Sequence, residues 1–268
     1  MNSRTGSLLI GILLAAAFVV CADEFKHVRG TPTNQVSKID AGSAKGLMGK
    51  VCLYHIFVSD PDSPWTTDEK KTVRQRAAKA QKFLKQQAVQ YEKQVSFVCQ
   101  WKSVTVESMI SNDMFAHPRW TNEVLKMADG TDANDLVETL KRKHQADHVL
   151  FVLHLNKSGR SYNLSFYDGV GDTYRAERVV CFTSYPHGEA TAAASIAHEV
   201  LHGFGAGELY YPYDANDKRR KQAEKLFPDD IMRRVEYDIS SLSIGPYTAY
   251  RIGWLDRIED EHKVFDDE

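Results

Sequence analysis

Residues 197–208 of the chain read Ala-His-Glu-Val-Leu-His-Gly-Phe-Gly-Ala-Gly-Glu. His198 and His202 are four residues apart, so a helix places both imidazoles on one face, about one turn apart. That spacing lets both side chains bind the same Zn²⁺ ion. Glu199 follows the first histidine, where its carboxylate can take a proton from a water on that metal, and it is therefore a candidate general base.

Two positions beyond the histidine pair support a metal site. Gly205 falls seven residues after His198, where a glycine can adopt a positive φ, end the helix and turn the chain back toward the metal. Glu208 falls ten residues after His198, where the returning chain brings a third ligand. The alternative is a buried, Ala-rich helix in which the two histidines only form hydrogen bonds.

The residues before this helix alternate between strand and helix patterns. Apolar runs predict five strands, over residues 51–58, 95–101, 148–155, 161–167 and 178–185. Helical periodicity predicts helices over residues 67–93, 120–127, 134–144 and 189–204, the first of them started by a capping box of Thr66 and Glu69. Strands joined by helices predict an α/β fold with a twisted, mixed, five-stranded sheet.

The last part of the chain has a different pattern. Residues 206–268 carry few strand signals and one predicted helix, over residues 246–254. We therefore expect an N-terminal subdomain over residues 49–205 and a mainly irregular or helical C-terminal subdomain over residues 206–268.

The motif of residues 198–208, His-Glu-x-x-His-x-x-Gly-x-x-Glu, resembles the extended zinc signature of the metzincin metallopeptidases. The resemblance implies a three-layer zincin sandwich and a Zn²⁺ cofactor. It also implies that the last residue of the signature is the third zinc ligand. That residue is usually His and sometimes Asp in the family, whereas it is Glu208 here. Asp214 and Glu224 are the alternative third ligands.

Other parts of the chain also resemble the family. Asp230-Ile231-Met232 looks like its Met-turn, in which Met232 would form a hydrophobic floor below the imidazoles without binding zinc. Residues 244–254 look like the family's C-terminal helix. The strand over residues 161–167 would be the sheet edge that lines the cleft, where an extended peptide can pair by strand addition.

The resemblance implies a zinc-dependent peptidase that acts on a peptide or protein substrate. In several metzincins a Tyr two residues after the Met-turn methionine stabilises the oxyanion, but Arg234 occupies that position here. The remaining tyrosine candidates are Tyr210, Tyr211, Tyr213 and Tyr237. A zincin-fold binding protein with little or no turnover, and a zinc hydrolase that cleaves a non-peptide bond, are the alternatives.

The N-terminus predicts export. Arg4 precedes an apolar run over residues 8–20, and small residues precede a cleavage point after Ala22, as in a secretory signal peptide. We expect residues 1–22 to be removed and residues 23–48 to form a polar, poorly structured lead-in to a secreted or periplasmic protein. An uncleaved anchor and a lipoprotein modified on Cys21 are the less favoured alternatives.

Composition limits the kinds of partner. The chain has 34 Lys and Arg against 36 Asp and Glu, an even balance that argues against nucleic acid or an anionic membrane as the partner. With 43% hydrophobic residues it can form a folded core. After signal removal Cys52, Cys99 and Cys181 remain. Their odd number excludes a complete disulfide framework, and we expect buried thiols, with one bridge plus one free thiol as the alternative.

Overall fold

The computed structural model describes residues 42–111, 120–164, 175–210 and 218–265. All of these residues belong to one unit of the chain, which begins at Gln35. No helix within these ranges combines the length and the apolar content that a membrane span requires. The predicted signal peptide and the predicted lead-in as far as residue 41 lie outside the described residues.

The centre of the molecule is a five-stranded mixed sheet. Its strands are β1 (Gly49–Ser59), β2 (Val95–Thr105), β3 (His148–Ser158), β4 (Tyr162–Leu164) and β5 (Arg178–Ser184). Their spatial order is β2-β1-β3-β5-β4. The first four in this order are parallel, and β4 pairs with β5 in the antiparallel direction. The α/β prediction with a mixed five-stranded sheet is therefore confirmed, with an antiparallel strand at one edge.

Helices cover both faces of this sheet. They are α1 (Thr67–Gln90), α2 (Trp120–Asp129), α3 (Ala133–His144), α4 (Ala193–Gly203), α5 (Lys218–Leu226) and α6 (Pro246–Arg251). Alternate residues of a strand face opposite layers. Val51 and Leu53 of β1 accordingly pack in a core with α1 and α4, whereas Cys52 and Tyr54 pack in a second core with α2 and α3. The three layers match the predicted sandwich.

The start of α1 illustrates how the sequence encodes an element. The Thr66 hydroxyl accepts a hydrogen bond from the Glu69 backbone amide at 3.3 Å, and the Glu69 carboxylate accepts one from the Thr66 amide at 2.8 Å. These two bonds form the predicted capping box, which satisfies amides that have no partner within the helix. Val73, Ala77 and Leu84 lie on its buried face, as the periodicity predicts.

The cysteines are free thiols in the described part of the chain. Cys52 and Cys181 are buried, and Cys99 is half-buried. Burial raises the pKa of Cys52 to about 12. Gln81 donates a hydrogen bond to the Cys99 sulfur at 3.0 Å. These observations agree with the expectation of unpaired thiols packed among apolar side chains.

Two predicted boundaries are wrong. The lead-in was expected to be poorly structured as far as residue 48, but Ser43, Ala44 and Leu47 are buried. The Ser43 and Leu47 amides bond to the Arg175 and Ile252 carbonyls, and the Ala44 amide bonds to the Glu177 carboxylate at 2.8 Å. The fourth predicted helix starts at Ala193 and not at residue 189. Residues 185–190 instead form a turn that returns to the end of β5, closed by an amide-to-carbonyl bond from Tyr185 to Glu189 at 2.7 Å.

The C-terminal part packs on the same side of the sheet as α1 and α4. Tyr247, Ala249 and Trp254 lie in the core that these two helices share. The predicted helix over residues 246–254 is confirmed at its start but ends at Arg251. Helix α5 was not predicted, and residues 165–167 of the predicted fourth strand lie outside the described residues. The division into subdomains at residue 205 stays a prediction.

Candidate metal centre

Helix α4 carries the two histidines and the glutamate of the motif. It contacts α1 as well as β3, β4 and β5, and most of its own residues, many of them alanine or aliphatic, are buried. His198 is 4% exposed and Glu199 is 6% exposed. The rings of His198 and His202 lie with their centroids 4.6 Å apart and their planes at 87°. The four-residue spacing therefore places both imidazoles on the same face, as expected.

Gly205 ends this helix. Its φ is +101°, a left-handed conformation that glycine adopts without a Cβ penalty. The Gly205 amide bonds to the His202 carbonyl at 2.9 Å, and the Ala206 amide bonds to the Leu201 carbonyl at 3.0 Å. This pair of bonds is a Schellman motif, which satisfies the last carbonyls of the helix and reverses the chain. The reversal brings Glu208 back to the histidines.

The three predicted ligands converge on one point. Nε2 of His202 lies 3.0 Å from Nε2 of His198. Oε1 of Glu208 lies 3.2 Å from the His202 nitrogen and 3.4 Å from the His198 nitrogen. These three side chains can together hold a metal ion.

Backbone carbonyls orient both imidazoles. Nδ1 of His198 bonds to the Ile231 carbonyl oxygen at 2.9 Å, and Nδ1 of His202 bonds to the Ala206 carbonyl oxygen at 2.8 Å. A carbonyl oxygen only accepts, so each Nδ1 carries the proton and donates it. Both Nε2 atoms are therefore directed at Glu208, which is the usual outer-shell arrangement of metal-binding histidines.

The donor set fits zinc. Bond lengths of about 2.0–2.1 Å in a tetrahedral site separate neighbouring ligand atoms by about 3.3 Å, and the three distances above lie around that value. Oε2 of Glu208 is buried without a hydrogen-bond partner. Burial alone would lower the pKa of His198, but the Glu208 carboxylate outweighs it and raises that pKa to about 9. The cluster thus attracts a cation to its centre.

Glu199 is the remaining carboxylate of the motif. Its Oε2 is buried and has no hydrogen-bond partner. Burial raises the pKa of Glu199, although the two histidines partly offset this effect. The thiol of Cys181 on β5 lies close enough for the Glu199 charge to add to the effect of burial in raising its pKa. Glu199 therefore lies close to β5 and to the histidine pair, and its Oε2 is available to a further partner.

The turn around Met232 lies against the site. Met232 is fully buried. The preceding Ile231 supplies the carbonyl that orients His198. The Met232 carbonyl accepts a hydrogen bond from the Leu209 amide at 3.0 Å, next to Glu208. The turn that resembles the Met-turn thus contacts both segments that carry the predicted ligands, and the role of the Met232 side chain stays a prediction.

The structure shows where the described alternatives for the third ligand and for the oxyanion donor lie. Glu224 lies on α5, where it is exposed and forms an ion pair with Arg220 at 3.6 Å, and it does not join the cluster. Arg234 pairs with Asp229 at 2.8 Å. Tyr237 is 76% exposed. Asp214, Tyr211 and Tyr213 lie outside the described residues.

The carboxylates of the site raise the pKa of Tyr210. The negative charge of Glu208 is the largest of the effects that raise the pKa of Tyr210, and Glu199 contributes as well. The side chain is 40% exposed, so a substrate can reach it. Its neutral hydroxyl is therefore a hydrogen-bond donor near the two carboxylates.

Sequence reasoning missed two features of this site. Asp230 was noted only as the start of the Met-turn, yet one of its carboxylate oxygens bonds to Met232 in the turn and the other bonds to Gly245 and Thr248. Tyr185 bonds to Ser195 of α4 at 2.8 Å, and Glu199 contributes to raising its pKa after burial. No local signal marks Asp230 beyond its place at the start of the Asp-Ile-Met turn. Nothing in the sequence marks Tyr185.

Comparisons with known proteins give little further information. No family model and no curated protein matches the chain. Metalloproteinase-II from Bacteroides fragilis is similar with a TM-score of 0.40 and 11% identity, over 79% of this chain and 53% of that one. A chaperone–substrate complex is similar with a TM-score of 0.32 and 14% identity, over 60% of this chain and 24% of that one. The chain spans about half the length of the metalloproteinase.

Proposed function

We propose that the protein is a zinc-dependent peptidase of the metzincin type. The observation that carries this proposal is the convergence of His198, His202 and Glu208 within 3.0–3.4 Å beside the buried carboxylate of Glu199. Two neutral imidazoles and a carboxylate, with further positions open, are the ligand set of many catalytic zinc sites. The cluster also reaches the surface, because the Glu208 side chain is 22% exposed.

The chemistry divides between the metal and the protein. When bound, zinc lowers the pKa of water from 15.7 to about 7 and polarises a carbonyl. Glu199 takes the proton of the attacking water and passes it to the leaving amine. Burial raises the pKa of Glu199, which moves it toward the range where a carboxylate exchanges protons near neutral pH.

Tyr210 supplies the hydrogen-bond donor for the oxyanion, a role that Arg234 does not fill. Arg234 forms its ion pair with Asp229 on the surface, away from the cluster. The adjacent carboxylates hold the Tyr210 hydroxyl neutral, and the residue is 40% exposed. We assign it the role of donating a hydrogen bond to the carbonyl oxygen on which negative charge develops.

An extended peptide is the substrate that the sheet accommodates. β4 is the last strand on its side of the sheet, and it contacts α4, which carries the histidines. It pairs with β5 in the antiparallel direction over Tyr162–Leu164. A peptide that adds to this edge gains main-chain hydrogen bonds irrespective of its side chains.

A binding protein without turnover is the second candidate. It is favoured by one observation, that the position two residues after Met232 holds Arg234, which is paired elsewhere. Such a protein would bind zinc and an extended peptide but would not cleave it. Hydrolysis of a non-peptide bond uses the same residues and is distinguished only by the substrate tested.

The first prediction concerns Glu199→Gln. This change keeps the size of the side chain and removes its ability to take a proton. We expect zinc binding to be unchanged and cleavage of a peptide library to fall by about 10²–10⁴-fold. Cleavage is measured by mass spectrometry with the wild type, the variant and the chelator-treated protein.

Glu224→Gln is the matched control. This glutamate was an alternative third ligand, but it is exposed on α5, so its substitution should change neither zinc binding nor cleavage. Equal cleavage by wild type, Glu199→Gln and chelated protein would contradict the peptidase proposal. Tight zinc binding without any cleavage would favour the binding protein.

A further inference from the structure

The turn from Asp229 to Arg234 is held by one buried carboxylate. Asp230 is fully buried. Its Oδ1 accepts a hydrogen bond from the Met232 amide at 2.7 Å. Its backbone carbonyl accepts hydrogen bonds from the amides of Arg233 at 3.0 Å and Arg234 at 3.1 Å. The side chain and backbone of one residue therefore fix the conformation of the whole turn.

The second carboxylate oxygen of Asp230 joins this turn to α6. Oδ2 accepts hydrogen bonds from the Gly245 amide at 2.7 Å and from the Thr248 hydroxyl at 2.8 Å. Gly245 has no side chain, and a Cβ there would lie only 2.8 Å from Oδ2. The close approach of this amide to the carboxylate therefore requires a glycine.

Helix α1 holds the other side of this junction. The Gln87 side chain accepts a hydrogen bond from the Ile244 amide at 2.9 Å, and Tyr91 donates one to the Ile244 carbonyl at 2.6 Å. Ile244 precedes Gly245, so the partner of Asp230 is itself fixed to a long, regular helix. Asp230 thus connects the turn to two elements of the main core.

Both ligand segments depend on the position of this turn. The Ile231 carbonyl accepts the Nδ1 proton of His198, and the Met232 carbonyl bonds to the amide of Leu209, which follows Glu208. A shift of the turn would move both acceptors together. It would free the His198 ring to rotate or to change tautomer, and Nε2 would no longer be directed at the metal position.

We propose that Asp230 is the positioning residue of the metal centre, because it holds the Ile231 and Met232 carbonyls where they orient His198 and the Glu208 segment. This inference rests on the zinc site of the proposed function. It does not rest on peptide cleavage. Asp230 acts through these carbonyls and touches neither the metal position nor a substrate.

Asp230→Asn tests the inference. An asparagine has one acceptor oxygen in place of two. Its side-chain NH₂ group therefore faces the backbone N–H of either Met232 or Gly245 and cannot accept the hydrogen bond that this N–H donates in the wild type. We expect the zinc affinity of the metal-free protein to fall by about 10–100-fold, the usual effect of losing an outer-shell partner. Affinity is measured by competition with a chromophoric chelator, on samples shown to be folded by circular dichroism.

A second readout follows the histidine itself. Proton–nitrogen correlation spectra of protein labelled at histidine report which ring nitrogen carries the proton. In zinc-loaded wild type we expect the His198 signal to show the Nδ1-protonated tautomer. In Asp230→Asn we expect a mixture of the Nδ1-protonated and Nε2-protonated tautomers. A residue that only stabilises the fold would lower Tm without changing the tautomer or the affinity of the folded molecules.

Asp60→Asn is the matched control. Asp60 is also a buried aspartate, with hydrogen bonds from the Ser63 hydroxyl at 2.6 Å and the Ile110 amide at 2.8 Å, but it shares no bond with the site. Its substitution should lower Tm and leave zinc affinity unchanged. If Asp230→Asn does not fold, Thr248→Val removes one bond to Asp230 and should weaken zinc binding to a smaller degree.

The outcomes are distinct. Wild-type zinc affinity in the folded Asp230→Asn protein, or in Thr248→Val when the first variant does not fold, would overturn the inference and leave the peptidase proposal standing. Zinc binding without peptide cleavage in the wild type would overturn the peptidase and leave the inference standing. A wild type that binds no zinc would overturn both.

Discussion

Gly205 determines where Glu208, the third predicted ligand of the cluster, lies. Its positive φ permits the two hydrogen bonds that end α4, and three residues later Glu208 meets the histidines. The same turn places the Ala206 carbonyl on His202. One backbone conformation therefore sets both a ligand and the acceptor that orients another ligand.

The second residue-scale prediction concerns Gly205→Ala. A Cβ at this φ is strained by about 1–2 kcal/mol, and relief of that strain moves the chain that carries Glu208. We expect a loss of stability of this size in denaturant unfolding, together with weaker zinc binding in the chelator competition.

Gly188→Ala separates the two effects. Gly188 also has a positive φ, of +90°, and a Cβ there would have open space around it. It lies in the turn after β5, away from the cluster. A similar loss of stability with unchanged zinc affinity is expected, and equal zinc affinities in the two variants would contradict the role assigned to Gly205.

At the scale of the elements, strands β1 and β3 carry a buried histidine pair. Nδ1 of His55 lies 2.9 Å from Nε2 of His154, and the His55 ring stacks on Trp101 at 4.0 Å. Burial lowers the pKa of both histidines, that of His154 to about 3, and Arg74 adds a positive charge above Trp101. The pair is neutral in the folded protein.

The third prediction is a loss of stability in mild acid. In the unfolded state both histidines take up a proton at about pH 6.5, whereas in the folded state they stay neutral. The stability that they contribute is therefore full above that pH and falls below it. Each histidine contributes up to about 1.4 kcal/mol per pH unit. The free energy of unfolding of the metal-free protein, measured from pH 7 to pH 5, tests this slope.

His154→Gln should roughly halve that slope. Glutamine keeps a hydrogen-bond partner for His55 and removes one titrating ring. His187→Gln is the control, since His187 is exposed on the turn after β5 and its substitution should leave the slope unchanged. An unaltered slope in His154→Gln would show that other groups cause the acid sensitivity.

The elements also show what a sequence can predict. Apolar runs and the Thr66 capping box predicted the strands and α1, because their signals lie within the segment itself. Helix α5 was missed because it buries only Ala223 and has no apolar stripe. The positions of His198 and His202 followed from helix geometry, whereas Asp230 and Tyr185 act through contacts distant in sequence that no local pattern encodes.

At the scale of the whole molecule, distant segments share one core. The indole of Trp254 donates a hydrogen bond to the Leu47 carbonyl at 2.5 Å, and its ring lies 5.5 Å from that of Tyr91 on α1. The Leu47 amide in turn bonds to the Ile252 carbonyl at 3.0 Å. The start of the described chain and its C-terminal part therefore stabilise each other.

The prediction for the shared core concerns Trp254→Phe. The change leaves the Leu47 carbonyl without its partner and creates a cavity, so we expect a loss of about 2–4 kcal/mol in the free energy of unfolding. Trp65→Phe is the control. Trp65 also donates to a carbonyl, of Val58 at 2.9 Å, but it is half-buried and should cost less. Equal losses would contradict the shared-core interpretation.

The order of the strands has a consequence for the route by which the protein folds. β1 pairs with β2 and with β3, so Val51 must find both Phe97 and His148. Such pairings between remote parts of the chain make sheet formation slow. All five strands nevertheless precede residue 198, and a ribosome completes them before it makes the first histidine of the cluster. The described strands can thus pair before the last of the predicted metal ligands is part of the chain.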